Sequence, residues 1–246
     1  ACKAKRRERE SEAKAKEAAK GRGSGGEMRD MGSIMAALIQ QPPQPQQRRF
    51  DEVDAYNACV EDHHEELQKM LQQSGIDIEW AENVYRATAT NVAAQLGHDK
   101  CLKLLISHGA DMSKADKGGF APIHIACNNG RHACLQLLVD NGADLNLRMA
   151  NEKGNTPAMI CCQNGHVKCL AFLSDSGADL DRTNNHGHTP VHVASQYSQL
   201  KCIQLLAKRG VDLSKKDEYG ATPLDYARAF KQPECIDFLL TSGASG

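Results

Sequence analysis

A short proline-containing motif recurs along this chain at almost constant intervals. Four prolines that open similar segments are separated by 35, 33 and 33 residues, and a glycine that closes each segment recurs at nearly the same interval. The prolines are Pro122, Pro157, Pro190 and Pro223, and the glycines are Gly109, Gly142, Gly177, Gly210 and Gly243. A period of roughly 20–50 residues is typical of a solenoid, in which each unit packs against copies of itself.

The unit that begins at Gly187 shows what each copy contains. Thr189 followed by Pro190 predicts a helix start, because the hydroxyl can accept a hydrogen bond from a free backbone amide and proline fits the first helical position. Apolar residues from Leu200 onwards recur at helical spacing until Gly210, which predicts a second helix. Helices shorter than about 12 residues are marginal in water, so the two helices must be stabilised by neighbouring units.

The repeated segments are GGFAPIHIACNNG, GNTPAMICCQNGH, GHTPVHVASQY and GATPLDYARAF, and most are followed by a leucine-containing helix pattern and by GAD or GVD. This pattern resembles the ankyrin repeat. The resemblance implies an all-α ankyrin-repeat solenoid of helix-turn-helix units and finger loops, with capping repeats at the ends. It also implies that His124 and His192, in the TPxH element, form hydrogen bonds to neighbouring loops.

Individual repeats depart from the pattern, and some of these departures predict local differences in structure. Thr88 and Asn91 belong to a segment without the proline and histidine, and Pro233 is expected to interrupt the last helix. A two-residue insertion between Asp144 and Gly154 should lengthen one finger loop. We place an ankyrin-repeat domain at residues 51–243 and a short tail at 244–246. The six repeats are expected at residues 51–75, 76–110, 111–144, 145–178, 179–211 and 212–243.

Residues 1–50 differ in composition from the repeats and are expected to form a disordered basic tail with a proline- and glutamine-rich linker. Between Lys3 and Arg22 there are nine basic and four acidic residues, a local charge of +5. Such a segment could make a weak contact with nucleic acid or an anionic surface. The apolar stretch from Ile34 to Ile39 is shorter than the roughly 18 residues of a membrane span, so no span is predicted.

The chain contains ten cysteines, and their positions predict a packing role. Packed helices lie about 8–10 Å apart, which is too far for disulfides between equivalent positions. We therefore expect free, buried thiols, no metal site and no cofactor, including at His63-His64 and at His186-x-His188. Free thiols indicate a reducing compartment, the cytosol or the nucleus. The five cysteines that share one position of the second helix are Cys101, Cys134, Cys169, Cys202 and Cys235.

Neither a phosphate-binding glycine loop nor a nucleophile with a matching base is evident, so we expect a protein that is not an enzyme. The repeat array predicts a monomeric protein-interaction module or adaptor that binds a protein partner through finger loops and a concave groove. Two alternatives stay open. One is an ankyrin segment of a larger enzyme or channel, and the other is a nucleic-acid-associated protein that uses the basic tail.

The residues expected to contact a partner occupy variable positions of the finger tips and first helices, where aromatic, methionine and arginine side chains often contribute most to binding. The centre of the predicted surface comprises Trp80, Tyr85, Phe120, Arg148 and Met149. The full predicted set is Trp80, Tyr85, Leu96, Phe120, Asn128, Asn129, Arg148, Met149, Gln163, His186, Gln196, Tyr197 and Tyr219.

Overall fold

The computed structural model describes residues 51–72, 75–81 and 85–244, and the predictions for residues 1–50 fall outside these ranges. Within the described residues the secondary structure consists of twelve α-helices and no strand, which confirms the all-α prediction. The first helices of the six repeats are α1 Glu52–Val60, α3 Ala89–Leu96, α5 Pro122–Asn128, α7 Pro157–Asn164, α9 Pro190–Gln196 and α11 Pro223–Ala229. The second helices are α2 His64–Leu71, α4 Asp99–Ser107, α6 His132–Asp140, α8 Val167–Asp175, α10 Leu200–Lys208 and α12 Pro233–Thr241.

Each first helix packs beside the first helix of the next repeat, and the second helices form a parallel layer behind them. Small residues such as Ala93 and Ala126 allow close contact between first helices, while leucines such as Leu102 and Leu135 fill the space between the layers. The five cysteines of the second helices are all buried in this core, which confirms the packing role predicted for them. None of the helices found in the described ranges is long and apolar enough to cross a membrane.

The Thr-Pro motif begins the first helices by side-chain capping. The hydroxyl oxygens of Thr156 and Thr222 accept hydrogen bonds from backbone amides three residues later, as the motif predicts. Thr88 caps α3 in the same way although no proline follows it. At Thr189 the hydroxyl lies 2.8 Å from Nδ1 of His192 instead. Capping therefore supplies a polar partner at every one of these helix starts.

Pro233 was expected to interrupt the last helix, and that prediction is wrong. Pro233 is the first residue of α12, so it starts the helix and removes no helical hydrogen bond. The preceding turn contains Lys231 at a φ of 55°, equivalent to Ser198 at 58° in the previous repeat. The backbone has therefore already left α11 before the proline is reached.

Candidate functional site

Five finger loops connect the repeats, and we number them fingers 1 to 5. Finger 1 is described at residues 75–81 and 85–88, and fingers 2 to 5 lie at residues 108–121, 141–156, 176–189 and 209–222. In finger 2, Oδ1 of Asp116 accepts hydrogen bonds from the amides of Gly118 and Phe120, at 2.8 and 2.9 Å. Asn184 and Asp217 close the tips of fingers 4 and 5 in the same way. A short polar side chain thus fixes each of these tips as a tight turn.

Neighbouring fingers are joined by backbone hydrogen bonds. Gly119, at a φ of 82°, allows one of these contacts, since a Cβ atom there would lie 2.7 Å from the backbone of Ala150. The fingers therefore form one continuous rim. The four donor and acceptor pairs are Lys117 N to Tyr85 O at 2.8 Å, Ala150 N to Gly119 O at 3.0 Å, Asn185 N to Lys153 O at 3.0 Å and Glu218 N to His186 O at 3.3 Å.

Finger 3 is longer than its neighbours, as the insertion predicts. Its closing hydrogen bond runs from the amide of Met149 to the carbonyl of Asn155, six residues later, whereas fingers 2, 4 and 5 close over four residues. Met149 lacks the carboxylate or amide that closes the other tips, and Oδ1 of Asn151 accepts from the amides of Lys153 and Gly154 instead. The two extra residues therefore form a second turn that carries Lys153 at its tip.

Two buried histidines connect first helices to the next finger, which confirms the role implied by the family resemblance. Nε2 of His124 lies 2.8 Å from the carbonyl of Leu147, and Nε2 of His192 lies 3.2 Å from that of Ala221. Nδ1 of each ring accepts an amide N–H, so Nε2 must carry the proton. Burial lowers the pKa of His124 to about 4 and also lowers the pKa of His192. Both rings are therefore neutral at physiological pH.

A cavity of about 570 Å³ is lined mainly by fingers 1 and 2 with one residue of finger 3, and we call it the N-terminal cavity. Trp80 lies on its wall and makes an edge-to-face contact with Tyr56, at 5.8 Å between ring centroids. Glu79 and Lys114 form an ion pair at 3.5 Å, so charges of both signs surround the opening. The residues that line it are Asp77, Glu79, Trp80, Ala81, Arg86, Lys114, Ala115, Asp116, Lys117 and Ala150.

A second cavity, of about 170 Å³, lies where fingers 3 and 4 meet helices α7 and α9, and we call it the groove cavity. Because its walls come from both finger loops and first helices, it shows that these elements share one concave surface. Four of the predicted contact residues line this cavity, namely Gln163, His186, Gln196 and Tyr197. The residues that line it are Lys153, Asn155, Gln163, Asn184, His186, His188, Val193, Gln196 and Tyr197.

A polar network behind the groove cavity orients His188. The hydroxyl of Tyr226 donates to Oδ2 of Asp217 and lies 2.8 Å from Nε2 of His188. Burial and the neighbouring Asp217 raise the pKa of Tyr226 to about 12. Although burial opposes it, hydrogen bonds from Tyr226 and from two backbone amides lower the pKa of Asp217. Burial also lowers the pKa of His188 despite the attraction of Asp217, so the ring is neutral.

The predicted contact residues differ widely in exposure. Tyr85 and Tyr219, at the finger tips, are 71 % and 77 % exposed, whereas Met149 is only 6 % exposed and packs in the core. Arg148 is exposed but already donates to Thr183 O and Asn185 Oδ1 of finger 4. The remaining members are exposed or half-buried. They are Trp80, Leu96, Phe120, Asn128, Asn129, Gln163, His186, Gln196 and Tyr197.

The structure brings these residues together in two places. Gln163, His186, Gln196 and Tyr197 line the groove cavity, and Trp80 lines the N-terminal cavity. The predicted centre around finger 3 is not one surface, because Met149 faces the core. Five other residues that line the groove cavity are not in the full predicted set: Lys153, Asn155, Asn184, His188 and Val193. Lys153 directly precedes Gly154, and counting back from that glycine would have placed it at the finger tip.

The described residues offer binding groups more than reactive ones. In residues 51–72, 75–81 and 85–244, no set of three or more His, Cys, Asp or Glu side chains is arranged to hold a metal ion. Burial raises the pKa of Cys134 to about 11 and raises that of Cys161 and Cys162. These thiols are therefore held in the protonated form, which is a poor nucleophile.

Comparison with known protein families defines the class. The model described as "Ankyrin repeats (3 copies)" matches residues 55–149, 111–184, 147–217 and 183–246. These overlapping matches cover the repeats from residue 55 to the last residue, and the chain therefore belongs to the ankyrin-repeat family. Ankyrin-repeat arrays are protein-interaction modules, which use their extended concave surfaces for binding.

Among individual proteins, the chain is similar to protein phosphatase 1 regulatory subunit 27 from Homo sapiens and from Mus musculus. In both cases 42 % of 41 aligned residues are identical. The alignment covers 17 % of this chain and 27 % of each relative. The chain thus matches only about a quarter of the length of these curated relatives.

Proposed function

We propose that the array is an adaptor that holds a protein partner in the groove between its fingers and first helices. The observation that carries this proposal is a row of exposed large side chains on that surface. Tyr197 and Phe230 occupy equivalent positions at the ends of α9 and α11, and are 41 % and 48 % exposed. Leu96, the last residue of α3, holds the same position, and asparagine occupies it in the two repeats between. Exposed apolar and aromatic groups arranged along one surface favour contact with another protein.

An amide row lies beside these side chains and suits an extended segment of the partner. The row consists of Gln95, Asn128, Gln163 and Gln196, each the seventh residue of its first helix. Packed helices lie about 8–10 Å apart, and three residues of an extended polyproline II segment rise about 9 Å and complete one turn, which returns the chain to the same side. Each repeat supplies one amide of the row, so successive amides could exchange hydrogen bonds with every third residue of an extended peptide.

The similarity to a phosphatase regulatory subunit supports the adaptor class but covers too little of either protein to name a partner. The alternatives of a larger enzyme or channel, and of a nucleic-acid-associated tail, stay predictions. So do the cytosolic or nuclear location and the monomeric state. No described residue favours one of them over the adaptor.

The test is a comparison of exposed side chains on two surfaces. The full-length chain is immobilised as wild type, Tyr197→Ser and Leu240→Ser, where Leu240 is a matched control that is 49 % exposed on α12. Extract from the source cells is passed over each, and captured proteins are quantified by mass spectrometry. Proteins that bind wild type and Leu240→Ser but are lost from Tyr197→Ser support groove binding. Equal capture by all three variants would contradict it.

A further inference from the structure

The groove cavity is large enough for a side chain, and its lining has a basic residue but no acidic one. Its volume of about 170 Å³ is more than ten times the roughly 10–15 Å³ that one water molecule requires. Its described lining contains one lysine, two histidines and four side-chain amides, and no carboxylate is among these residues. This composition favours an occupant that accepts hydrogen bonds and carries negative charge.

Asn155 supplies an amide donor at this site. Its side chain is 6 % exposed, and Oδ1 accepts a 2.8 Å hydrogen bond from Nδ2 of Asn184. Asn184 in turn accepts the amide hydrogens of His186 and His188 with its own Oδ1. Nδ2 of Asn155 has no hydrogen-bond partner among the described residues, although the residue lines the cavity. This donor is open to the cavity, so an acceptor that enters can take its hydrogen bond in place of water.

Charge at the opening comes from Lys153. The second turn of finger 3 places this lysine on the cavity wall, and its side chain is exposed. His188 adds no charge at neutral pH, because its ring is neutral for the reasons given above. The lining thus offers one ammonium group, two imidazoles and four amides, and the carboxylate of Asp217 lies behind His188. That set matches a single carboxylate better than a phosphate, which usually requires several cationic groups or an arginine fork.

We propose that the groove cavity binds the carboxylate of a glutamate or aspartate side chain in an extended segment of the protein partner. The proposal rests on the proposed function, because the segment must lie in the groove. The carboxylate accepts from Nδ2 of Asn155 and pairs with the ammonium of Lys153, while the amides of Gln163 and Gln196 hold the flanking peptide. Tyr197 also lines the cavity.

The probe is a peptide selected from a random twelve-residue phage library on the full-length chain. The strongest peptide whose binding is weakened by Tyr197→Ser is synthesised with its acidic residue and with the uncharged amide in its place. Fluorescence anisotropy then gives both dissociation constants for wild type, Lys153→Gln and Asn155→Asp. Lys168→Gln, an exposed lysine on α8 of the same repeat, is the matched control.

We expect acidic residues to be enriched in the selected peptides. Loss of the peptide's charge should weaken binding to wild type and to Lys168→Gln by about ten-fold, as for a charge-assisted hydrogen bond. In Lys153→Gln the same change should cost only about two-fold, because the two groups are coupled. The Asn155→Asp variant should bind the acidic peptide no more tightly than the peptide with the uncharged amide. If circular dichroism shows that Asn155→Asp does not fold, Lys153→Gln decides alone.

Two results would overturn the proposal. One is a set of groove-binding peptides with no enrichment of acidic residues, which would leave groove binding itself intact. The other is a ten-fold penalty that persists in Lys153→Gln, which would place the carboxylate elsewhere. Peptides that are all insensitive to Tyr197→Ser would instead contradict the proposed function, on which the inference depends.

Discussion

The stability of the array should depend on pH through His124. Its imidazole is buried, and it joins α5 to finger 3 by the hydrogen bond to Leu147. The pKa falls from an ordinary value of 6.5 to about 4 on folding, chiefly because burial disfavours the charged ring. Between these two values the unfolded chain binds a proton that the folded chain does not. Stability contributed by the neutral ring is therefore fully present above pH 6.5 and is lost as the pH falls towards 4.

The size of the effect follows from the difference between the two pKa values. One pKa unit corresponds to about 1.36 kcal/mol, so His124 accounts for about 3 kcal/mol over the whole range and about 2.5 kcal/mol between pH 8 and pH 4.5. The pKa values of His188 and His192 are lowered as well, so wild type should lose more than this amount. The carboxylates with lowered pKa values, Asp111, Asp217 and Asp225, act below about pH 4 and do not obscure this window.

His124→Asn isolates the contribution, because the chain already places Asn91 at the equivalent position of α3. Urea unfolding at pH 8 and pH 4.5, followed by circular dichroism, gives the free energy of unfolding for wild type and variant. The variant should be less stable at pH 8 and should lose about 2–3 kcal/mol less than wild type on acidification. His132→Asn, on the exposed face of α6, controls for loss of an imidazole. Equal acid sensitivity in wild type and His124→Asn would refute the reasoning.

Two further predictions concern packing. Gly119→Ala should destabilise the array by about 1–2 kcal/mol more than Gly109→Ala, as measured by urea unfolding. Both glycines have a φ above 80°, but only at Gly119 would the new Cβ atom meet backbone atoms of another finger. Similar losses of stability in the two variants would show that the contact between fingers is not tight. The five cysteines of the second helices should resist a maleimide in the folded chain and react after unfolding, as intact-mass measurement would show, and rapid labelling of the native protein would contradict their burial.

The repeat period was sufficient to predict the fold, because every unit packs against its neighbours through equivalent surfaces. A threonine before Pro157 or Pro223 can cap the helix whatever follows, and a cysteine such as Cys134 is buried because the layer behind it repeats. These features depend on residues within one repeat or on the identical surface of the next. The pattern of a single repeat therefore contains almost all the information that is needed to predict the fold of the array.

The details that sequence analysis missed depend on contacts between different fingers. Met149 resembles a partner-binding residue by type, but it occupies the position at which Asp116 and Asn184 close other tips, and it is buried. Asn184 lies beside Asn155, 29 residues earlier in the chain, and both residues line the groove cavity. Such pairs follow from the stacking of two particular loops. No period in the sequence specifies which side chains will face one another.

The long finger also bears on how a partner would be aligned. In an array of identical repeats, an extended segment could shift by one repeat and find the same amide row and the same spacing. Finger 3 removes this equivalence, because it is the only one of fingers 2 to 5 with a second turn, and Lys153 lies on that turn beside Asn155 and His186. A charged residue placed at one position of the partner would then favour a single register over its neighbours. Specificity in this groove would thus arise where the repeat is broken, while affinity is spread over the positions that repeat.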